Sequence, residues 1–387
     1  MGEWKTVRFG ELAAPEARSF SVGPFGSAIT KENYVPSGVP VVRGVNLARG
    51  RFFDDDFVFV SDQKADELAY ANLKPADLVF THRGTLGQVS MIPRRPRFAR
   101  YILSSSQVKA RLDVSRALPE FYYYWFRSSF GQESLLSNAS TVGVPGIASP
   151  LATIKSLAVP LPPHGEQQAI AAVLGALDDK IAVNERIAGT VLDLANAAYL
   201  SCVSGAFESV LVGDVMELKY GKSLPAARRV DGDVPVFGSG GVSGRHNEPL
   251  VEGPGVIVGR KGTVGSVYWS ERSFFPIDTT FYVKIKRADI PMEFAYFALS
   301  NMGLDVMNSD SAVPGLNRNN VHGLPLKLPV GESVRQFGDQ VRSMFELRES
   351  VYAENQTLAQ LRDTLLPKLM SGELRVRDAE KMVEDAT

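Results

Sequence analysis

The stretch IAAVLGALDDKIAVNERIAGTVLDLANAA, residues 170–198, decides the fold. Apolar or small residues recur in it at alternating intervals of four and three, with one polar exception: Ile170, Leu174, Leu177, Ile181, Asn184, Ala188, Val191, Ala195 and Ala198. This spacing over about four heptads is typical of a coiled-coil seam rather than of an ordinary amphipathic helix. The stretch therefore predicts a long helix that packs against another helix.

A second stretch near the end of the sequence has a similar, heptad-like spacing and supplies the partner. Its seam residues are Phe337, Val341, Met344, Arg348, Val351, Asn355, Leu358, Leu361 and Leu365. Each seam carries one asparagine, Asn184 or Asn355, and a polar residue at such a position costs stability but can fix the helix register. Prolines precede both helices, and Pro367 and Gly372 are expected to end or kink the second one.

The segments outside the two helices are β-rich and repeat each other. Short β-branched or aromatic runs lie between glycine and proline turns, which is typical of strands. RGTLGQV at 83–89 recurs as KGTVGSV at 261–267, and VPGI at 144–147 recurs as VPGL at 313–316. Because these motifs follow the same order in both halves, the chain is interpreted as a duplication.

The duplication sets the expected domain organisation. Each β-rich block should contain an aromatic helix opened by proline, over 119–132 and 291–304, and the aromatic residues of the first, 121–126, are expected in the core. The predicted segments are a first β-rich domain at 1–163, a long helix at 164–204, a second β-rich domain at 205–331, a long helix at 332–374 and a tail at 375–387.

Composition restricts the class of protein. The chain has 387 residues, 44% of them hydrophobic, which is enough for two or more globular units. The single cysteine, Cys202, excludes an internal disulfide framework and favours a reducing cytoplasm. No run of about 18 consecutive apolar residues indicates a membrane span, and no signal peptide is evident. The net charge of −1 hides segregation, since residues 1–163 are basic and residues 164–203 acidic.

At this point the sequence resembles the specificity subunit of type I restriction-modification systems. The residues that carry the resemblance are LPPHGEQQAIAAVL (161–174), LDDKIAVNERI (177–187) and the closing NQTLAQLRDTLLPKLMSGELRV (355–376). The resemblance covers the whole chain. It implies an α+β fold: two β-rich α/β target-recognition domains in pseudo-twofold arrangement, joined by two long helices that form an antiparallel coiled coil.

The same resemblance implies a function and partners. Each domain would read one half of a bipartite double-stranded DNA target, and the helices would set the gap. Two adenine-methyltransferase subunits would dock on the helices, and restriction-translocase subunits would join the full complex. No cofactor is expected in this subunit, whereas S-adenosylmethionine, ATP and magnesium are expected in the partner subunits. We expect a cytoplasmic protein with no membrane association.

Candidate DNA contacts are polar or basic residues in and around the repeated turns. Residues 81–111 contain seven lysines or arginines and no acid, a pattern that attracts phosphates but also occurs in solvated loops. The turn glycines are better explained by a tight turn that requires positive φ than by contact with DNA. The candidates are Arg83, Thr85, Arg94, Arg95, Arg97, Arg100, Lys219, Lys222, Arg260, Lys261, Thr263, Asn317, Arg318 and Asn319.

Catalytic functions find no support in the motifs. Glu217-Leu218-Lys219 with Asp214 only faintly resembles a nuclease metal site, and Gly221-Lys222-Ser223 lacks the first glycine of a P-loop. Neither an adenine-methylation motif nor G-x-G-x-x-G is present, and the four histidines have no ligand spacing. We therefore expect no catalytic and no metal-binding residues. The competing interpretation is a coiled-coil scaffold whose β-rich domains bind proteins or sugars.

Overall fold

The computed structural model describes residues 4–48, 51–137, 139–140, 143–307 and 315–385. The chain forms two compact units. The first unit consists of the residues up to Ile181 together with those from Gln356 onward, and the second runs from Ala182 to Asn355. Each unit therefore holds one β-rich block and one part of each long helix. The expected domain limits, which keep the helices apart from the β-rich blocks, stay a prediction.

The first unit is built on a four-stranded and a five-stranded sheet. Its strands are β1 (Lys5–Arg8), β2 (Phe20–Val22), β3 (Tyr34–Val35), β4 (Val39–Val42), β5 (Val58–Val60), β6 (Asn72–Leu73), β7 (Leu78–Thr81), β8 (Val89–Met91), β9 (Tyr101–Leu103), β10 (Gln107–Ala110), β11 (Ala139–Ser140), β12 (Gly146–Ile147) and β13 (Ala158–Leu161). Its helices are α1 (Gly44–Leu47), α2 (Asp62–Glu67), α3 (Pro119–Arg127), α4 (Ser129–Leu136), α5 (Pro150–Ser156) and the first part of α6 (His164–Ser204). The antiparallel sheet has the order β2-β10-β7-β8, the mixed sheet the order β3-β5-β4-β9-β6, and β1 pairs with β13.

The second unit repeats this plan with a smaller second sheet. Its strands are β14 (Phe207–Leu211), β15 (Met216–Tyr220), β16 (Val234–Gly238), β17 (Gly241–His246), β18 (Gly255–Gly259), β19 (Val267–Ser270), β20 (Phe275–Pro276), β21 (Thr280–Ile285) and β22 (Pro325–Pro329). Its helices are α7 (Val212–Val215), α8 (Met292–Ser300), α9 (Arg318–His322) and the first part of α10 (Ser333–Met370), and a last helix of the chain, α11 (Val376–Glu384), belongs to the first unit. The sheet orders are β15-β21-β18-β19 and β17-β16-β20, and β14 pairs with β22.

The two units have the same strand order, which confirms the predicted duplication. The sheet β2-β10-β7-β8 corresponds to β15-β21-β18-β19, and the pair β1-β13 corresponds to β14-β22. In the mixed sheets, the parallel pair β4-β9 corresponds to β16-β20. The second copy of the VPG motif is only partly visible in this comparison, since Val313 and Pro314 lie outside the described residues.

Both aromatic helices lie in the cores of their units, which was predicted for the first of them. Phe121, Tyr122 and Phe126 of α3 are fully buried, and α8 is buried over Phe294–Leu299. Both helices are shorter than expected. Ser128 ends α3 and caps α4, because its hydroxyl accepts a hydrogen bond from the amide of Gly131.

The two long helices pack together antiparallel. In the first unit Leu174 and Leu177 of α6 share a core with Leu358 and Leu365 of α10, so the beginning of α6 meets the end of α10. In the second unit the end of α6 and the beginning of α10 share the other core. No described seam residue is exposed. The predicted coiled-coil pairing is therefore confirmed within both units.

The seam asparagines contact each other. Asn184 is buried, and its amide donates hydrogen bonds to the side chain of Asn355 (2.9 Å) and to the carboxylate of Glu354 (2.6 Å). A mutual bond forms only in one alignment of the helices, which agrees with the register role. Pro367 does not end the second helix: it lies inside α10, which continues to Met370, and Gly372 follows the end of the helix at φ 71°.

Within the first unit, a buried polar network joins helix α3 to the two long helices. Asp178 of α6 accepts hydrogen bonds from Tyr124 (2.9 Å), Arg127 (3.2 Å) and Arg362 (2.7 Å). Burial and the adjacent carboxylate raise the pKa of Tyr124, so its hydroxyl remains a donor. The second unit has an apolar contact between its long helix and its aromatic helix: Phe345, 12 residues after the start of α10, packs against Phe297 of α8.

One described helix, α6, is long and apolar enough by length and composition to be a candidate membrane span. Its seam packs on α10, and a helix in a coiled coil passes the same test. This finding is weak support for a span.

Candidate nucleic-acid interface

The repeated turns occupy equivalent places in the two units. The first turn follows β7, the second follows β18, and their glycines have positive φ: Gly84, Gly87, Gly262 and Gly265, at 92°, 83°, 84° and 75°. Such φ values strain residues with a side chain, so the structural explanation of the glycines is confirmed. The turns leave Arg83, Thr85, Lys261 and Thr263 exposed.

Each turn is held against the second repeated motif by matching backbone bonds. The backbone of Arg83 forms an isolated antiparallel β-bridge with Gly146 in the first unit, and the backbone of Lys261 forms one with Gly315 in the second. The amide of Ile147 donates to the carbonyl of His82, as the amide of Leu316 donates to that of Arg260, both at 2.9 Å. These bonds make His82 and Arg260 equivalent, although one is an imidazole and the other a permanent cation.

In the second unit the turn is part of a cationic cluster around an exposed tyrosine. Tyr220 at the end of β15 is 48% exposed. The guanidinium of Arg260 lies 4.8 Å from the centre of its ring, and that of Arg318 lies 5.2 Å from it. These distances are within the range of cation–π attraction. The structure therefore brings together Arg260 and Arg318, which are 58 positions apart in sequence.

The other candidates of the second unit differ in their surroundings. The exposed side chain of Lys222 makes no hydrogen bond or ion pair with the described residues. Lys219 faces Glu217 at 3.9 Å. Asn317 caps α9, because its side chain accepts a hydrogen bond from the amide of Asn319 at 2.9 Å.

The imidazole beside this cluster is neutral. Burial, together with the charge of Arg318, lowers the pKa of His322. Its Nε2 accepts a hydrogen bond from the amide of Leu218 at 3.0 Å, which requires an unprotonated nitrogen. His322 thus positions α9 against β15 and adds no charge.

The basic stretch of the first unit is largely neutralised on the folded surface. Acids from other parts of the sequence reach four of its arginines: Arg94 pairs with Glu120 (2.6 Å), Arg97 with Asp55 (3.5 Å), Arg100 with Asp66 (2.6 Å) and Arg111 with Asp77 (2.6 Å). The positive charge of residues 81–111 is therefore partly balanced by these acids, and DNA contact in this stretch stays a prediction. Arg83 and Arg95 remain exposed and have no ion pair with the described residues.

Two cations of the stretch are structural. Lys109 is buried, and its ammonium donates to the backbone carbonyl of Asn72 at 2.6 Å. Desolvation lowers the pKa of Lys109 to about 8. Arg111 holds the fully buried Asp77 through two hydrogen bonds of 2.7 and 2.6 Å. Neither side chain is available for contact with DNA.

Sequence reasoning missed Tyr220, the residue at the centre of the cluster. The available signal was its position directly before Gly221 and Lys222, at the end of a strand of the repeated sheet. Among the described residues, no group of three or more histidines, cysteines or acids is arranged to hold a metal ion.

Comparison with known proteins agrees with the fold and the duplication. The model of the type I restriction modification DNA specificity domain matches residues 1–191 and again residues 205–341. The MjaX type I restriction enzyme specificity subunit of Methanocaldococcus jannaschii is 20% identical, over 90% of each chain.

The solved structure of one specificity subunit has a similar fold. The specificity subunit from M. genitalium is 19% identical, with a TM-score of 0.62 over 95% of this chain and 96% of that one. The HsdS subunit of Thermoanaerobacter tengcongensis is 17% identical, with a TM-score of 0.37 over 96% and 97%.

Proposed function

The chain belongs to the family of type I restriction-modification specificity subunits, which are non-catalytic, and we propose that each of its two units reads one half of a bipartite DNA target. The observation that carries this proposal is the duplication: the same strand order occurs twice, and the family model matches twice. Two equivalent readers in one chain suit a target made of two short sequences.

The candidate contacts fall into two classes under this proposal. Exposed cations without acidic partners among the described residues, Arg83, Arg95, Lys222 and Lys261, suit phosphate contact, which positions a protein on DNA without specifying sequence. The cluster at Tyr220 and the polar residues at the start of α9 suit contact with base edges. The ion-paired arginines of the first unit are weaker candidates, because DNA would have to replace their carboxylate partners.

We assign the gap between the half-sites to the long helices. Helix α6 has 41 residues and α10 has 38, which corresponds to about 60 Å at 1.5 Å per residue. One turn of B-DNA measures about 34–36 Å, so a rod of this length can hold two readers one to one and a half turns apart. The Asn184–Asn355 bond would keep that length constant by fixing the register.

The methyltransferase is the proposed partner of the exposed face of α6. Val183, Ile187 and Leu194 lie on one side of the helix and are 44%, 37% and 55% exposed. Val183 and Ile187 line a groove together with Arg186 and Thr190. Exposed apolar side chains in a row, beside a polar rim, are typical of protein interfaces. S-adenosylmethionine, ATP and magnesium would be bound by such partners, and the complex would act in the cytoplasm.

Docking on α6 is tested by co-purification with the methyltransferase of the same system. Val183→Asp should abolish co-purification, because a carboxylate in an apolar contact loses its hydration. Val242→Asp is the control, since Val242 is a valine on β17 that is 61% exposed. Equal retention of the methyltransferase by both variants would contradict docking at this face.

The reading function is tested by mapping methylated adenine in DNA from cells that carry the complete system. The expected map shows one target of two short sequences with a constant gap. Substitutions in the second unit should change only one of the two sequences. A continuous target, or a change in both sequences at once, would contradict one reader per unit.

A further inference from the structure

The cluster at Tyr220 concentrates positive charge that the described protein does not neutralise. Arg260 and Arg318 flank one exposed ring, and among the described residues no carboxylate lies within ion-pairing distance of either guanidinium. Two cations near each other repel, and the face of a tyrosine offsets this only in part. Such an arrangement is stabilised by a ligand that accepts hydrogen bonds.

The donors of the cluster are pre-oriented. A guanidinium stacked on a ring uses its face, so its N–H groups, which lie in its plane, stay available. One N–H group of Arg260 donates a hydrogen bond to the backbone carbonyl of Asp278 at 3.2 Å, which fixes the orientation of the guanidinium. Arg318 makes no side-chain hydrogen bond with the described residues, and its donors are free. Little side-chain entropy is then lost on binding.

Among its described residues, the first unit has no equivalent of this cluster. His82 stands where Arg260 stands, as the matching backbone bonds show. Gly23 and Gly221 likewise donate to equivalent carbonyls at the start of β10 and β21, which places Val22 at the position of Tyr220. Helix α5 begins with Pro150 and Leu151, whereas α9 begins with Arg318. The two readers therefore differ in charge at the same place.

We propose that Tyr220 is a positioning residue that holds Arg260 and Arg318 for recognition of guanine in the half-site of the second unit. This inference rests on the proposed reading function. The acceptors O6 and N7 of guanine match the fork of an arginine, and no other base offers the same pair in the major groove. Phosphate also matches this fork, but the exposed Lys222 and Lys261 can bind phosphate as point charges.

The test uses the full complex with its methyltransferase subunits, assayed on duplexes in which each half-site position is changed in turn. Arg318→Lys keeps the charge and removes the fork. It should reduce discrimination at one G·C pair of one half-site by about ten- to a hundredfold, with the salt dependence of binding unchanged. Tyr220→Leu should reduce discrimination at the same G·C pair. Tyr220→Phe should leave this discrimination unchanged, because the ring is retained.

Three results would overturn the inference. If Arg318→Lys lost binding affinity equally for all duplexes and its binding depended less on salt, the contact would be with phosphate. Discrimination that is unchanged in Arg318→Lys would exclude recognition by the fork, and equal loss in Tyr220→Phe and Tyr220→Leu would exclude stacking. Failure of the proposed function is distinguishable, because the unaltered complex would then methylate no bipartite target.

Discussion

Replacement of Asp178 by alanine should strongly destabilise the first unit. The carboxylate is buried and accepts hydrogen bonds from Tyr124, Arg127 and Arg362. Without it Arg127 has no carboxylate partner among the described residues, whereas Arg362 keeps Asp363 at 2.8 Å. Removal of one partner of a buried ion pair costs about 3–5 kcal/mol. Because both guanidinium groups keep some contact with water, we expect the lower end, about 3 kcal/mol.

Urea denaturation followed by tryptophan fluorescence measures this cost. Of the three tryptophans, Trp4 and Trp125 belong to the first unit and Trp269 to the second, so Trp269→Phe makes the signal specific for the first unit. With a slope of about 2–3 kcal/mol per molar urea, the midpoint should fall by about 1–1.5 M. The neighbouring exposed Asp179→Ala should change the free energy of unfolding by less than about 0.5 kcal/mol. Equal midpoints for the two variants would refute the anchoring role of the network.

Three further outcomes are expected. Desolvation lowers the pKa of Lys109 to about 8 in the folded protein, so its buried charge destabilises the fold below pH 8, and this cost is relieved as the pH rises toward 10.5. The free energy of unfolding relative to Lys109→Met should therefore rise between pH 8 and 10.5 in urea titrations. A constant difference between the two proteins would contradict this. Arg83→Ala and Lys261→Ala should each weaken DNA binding by the complex on all sequences and reduce the salt slope by about one, as measured by titrations at several salt concentrations; an effect confined to one base pair would exclude phosphate contact. Asn184→Ala should lower the free energy of unfolding by about 1–3 kcal/mol in denaturation followed by circular dichroism, whereas the double variant Asn184→Leu, Asn355→Leu should lower it less. An unchanged free energy of unfolding in the single variant would show that the bond between the asparagines does not stabilise the protein.

Local periodicity was enough to predict the helices and the duplication. The four-three spacing from Ile170 onward is a property of neighbouring residues, and the burial of the seam follows from it. Repeated turns such as RGTLG and KGTVG likewise need only positive φ at fixed positions. Pro367 shows the limit of this reasoning, since packing of the surrounding leucines keeps α10 helical through a residue that disfavours a helix.

The site was harder to predict because its electrostatics depend on residues far apart in sequence. Residues 81–111 contain no acid, yet Glu120 and Asp66 neutralise Arg94 and Arg100 from 26 and 34 positions away. The cluster at Tyr220 joins the ends of β15 and β18 with the start of α9, and no local pattern indicates that these three meet. Charge along a sequence is therefore a poor guide to charge on this surface.

The most direct test of the central claim is the methylation map of a protein with four helical residues inserted after Ile181 in α6 and four after Asn355 in α10, the limits between the units. Four residues add about 6 Å and about 40° of rotation, whereas one base pair adds about 3.4 Å and about 34°. The account predicts two unchanged half-sites separated by a gap that is one or two base pairs longer. An unchanged gap would contradict the assignment of spacing to the helices, and altered half-sites would contradict independent reading by the two units.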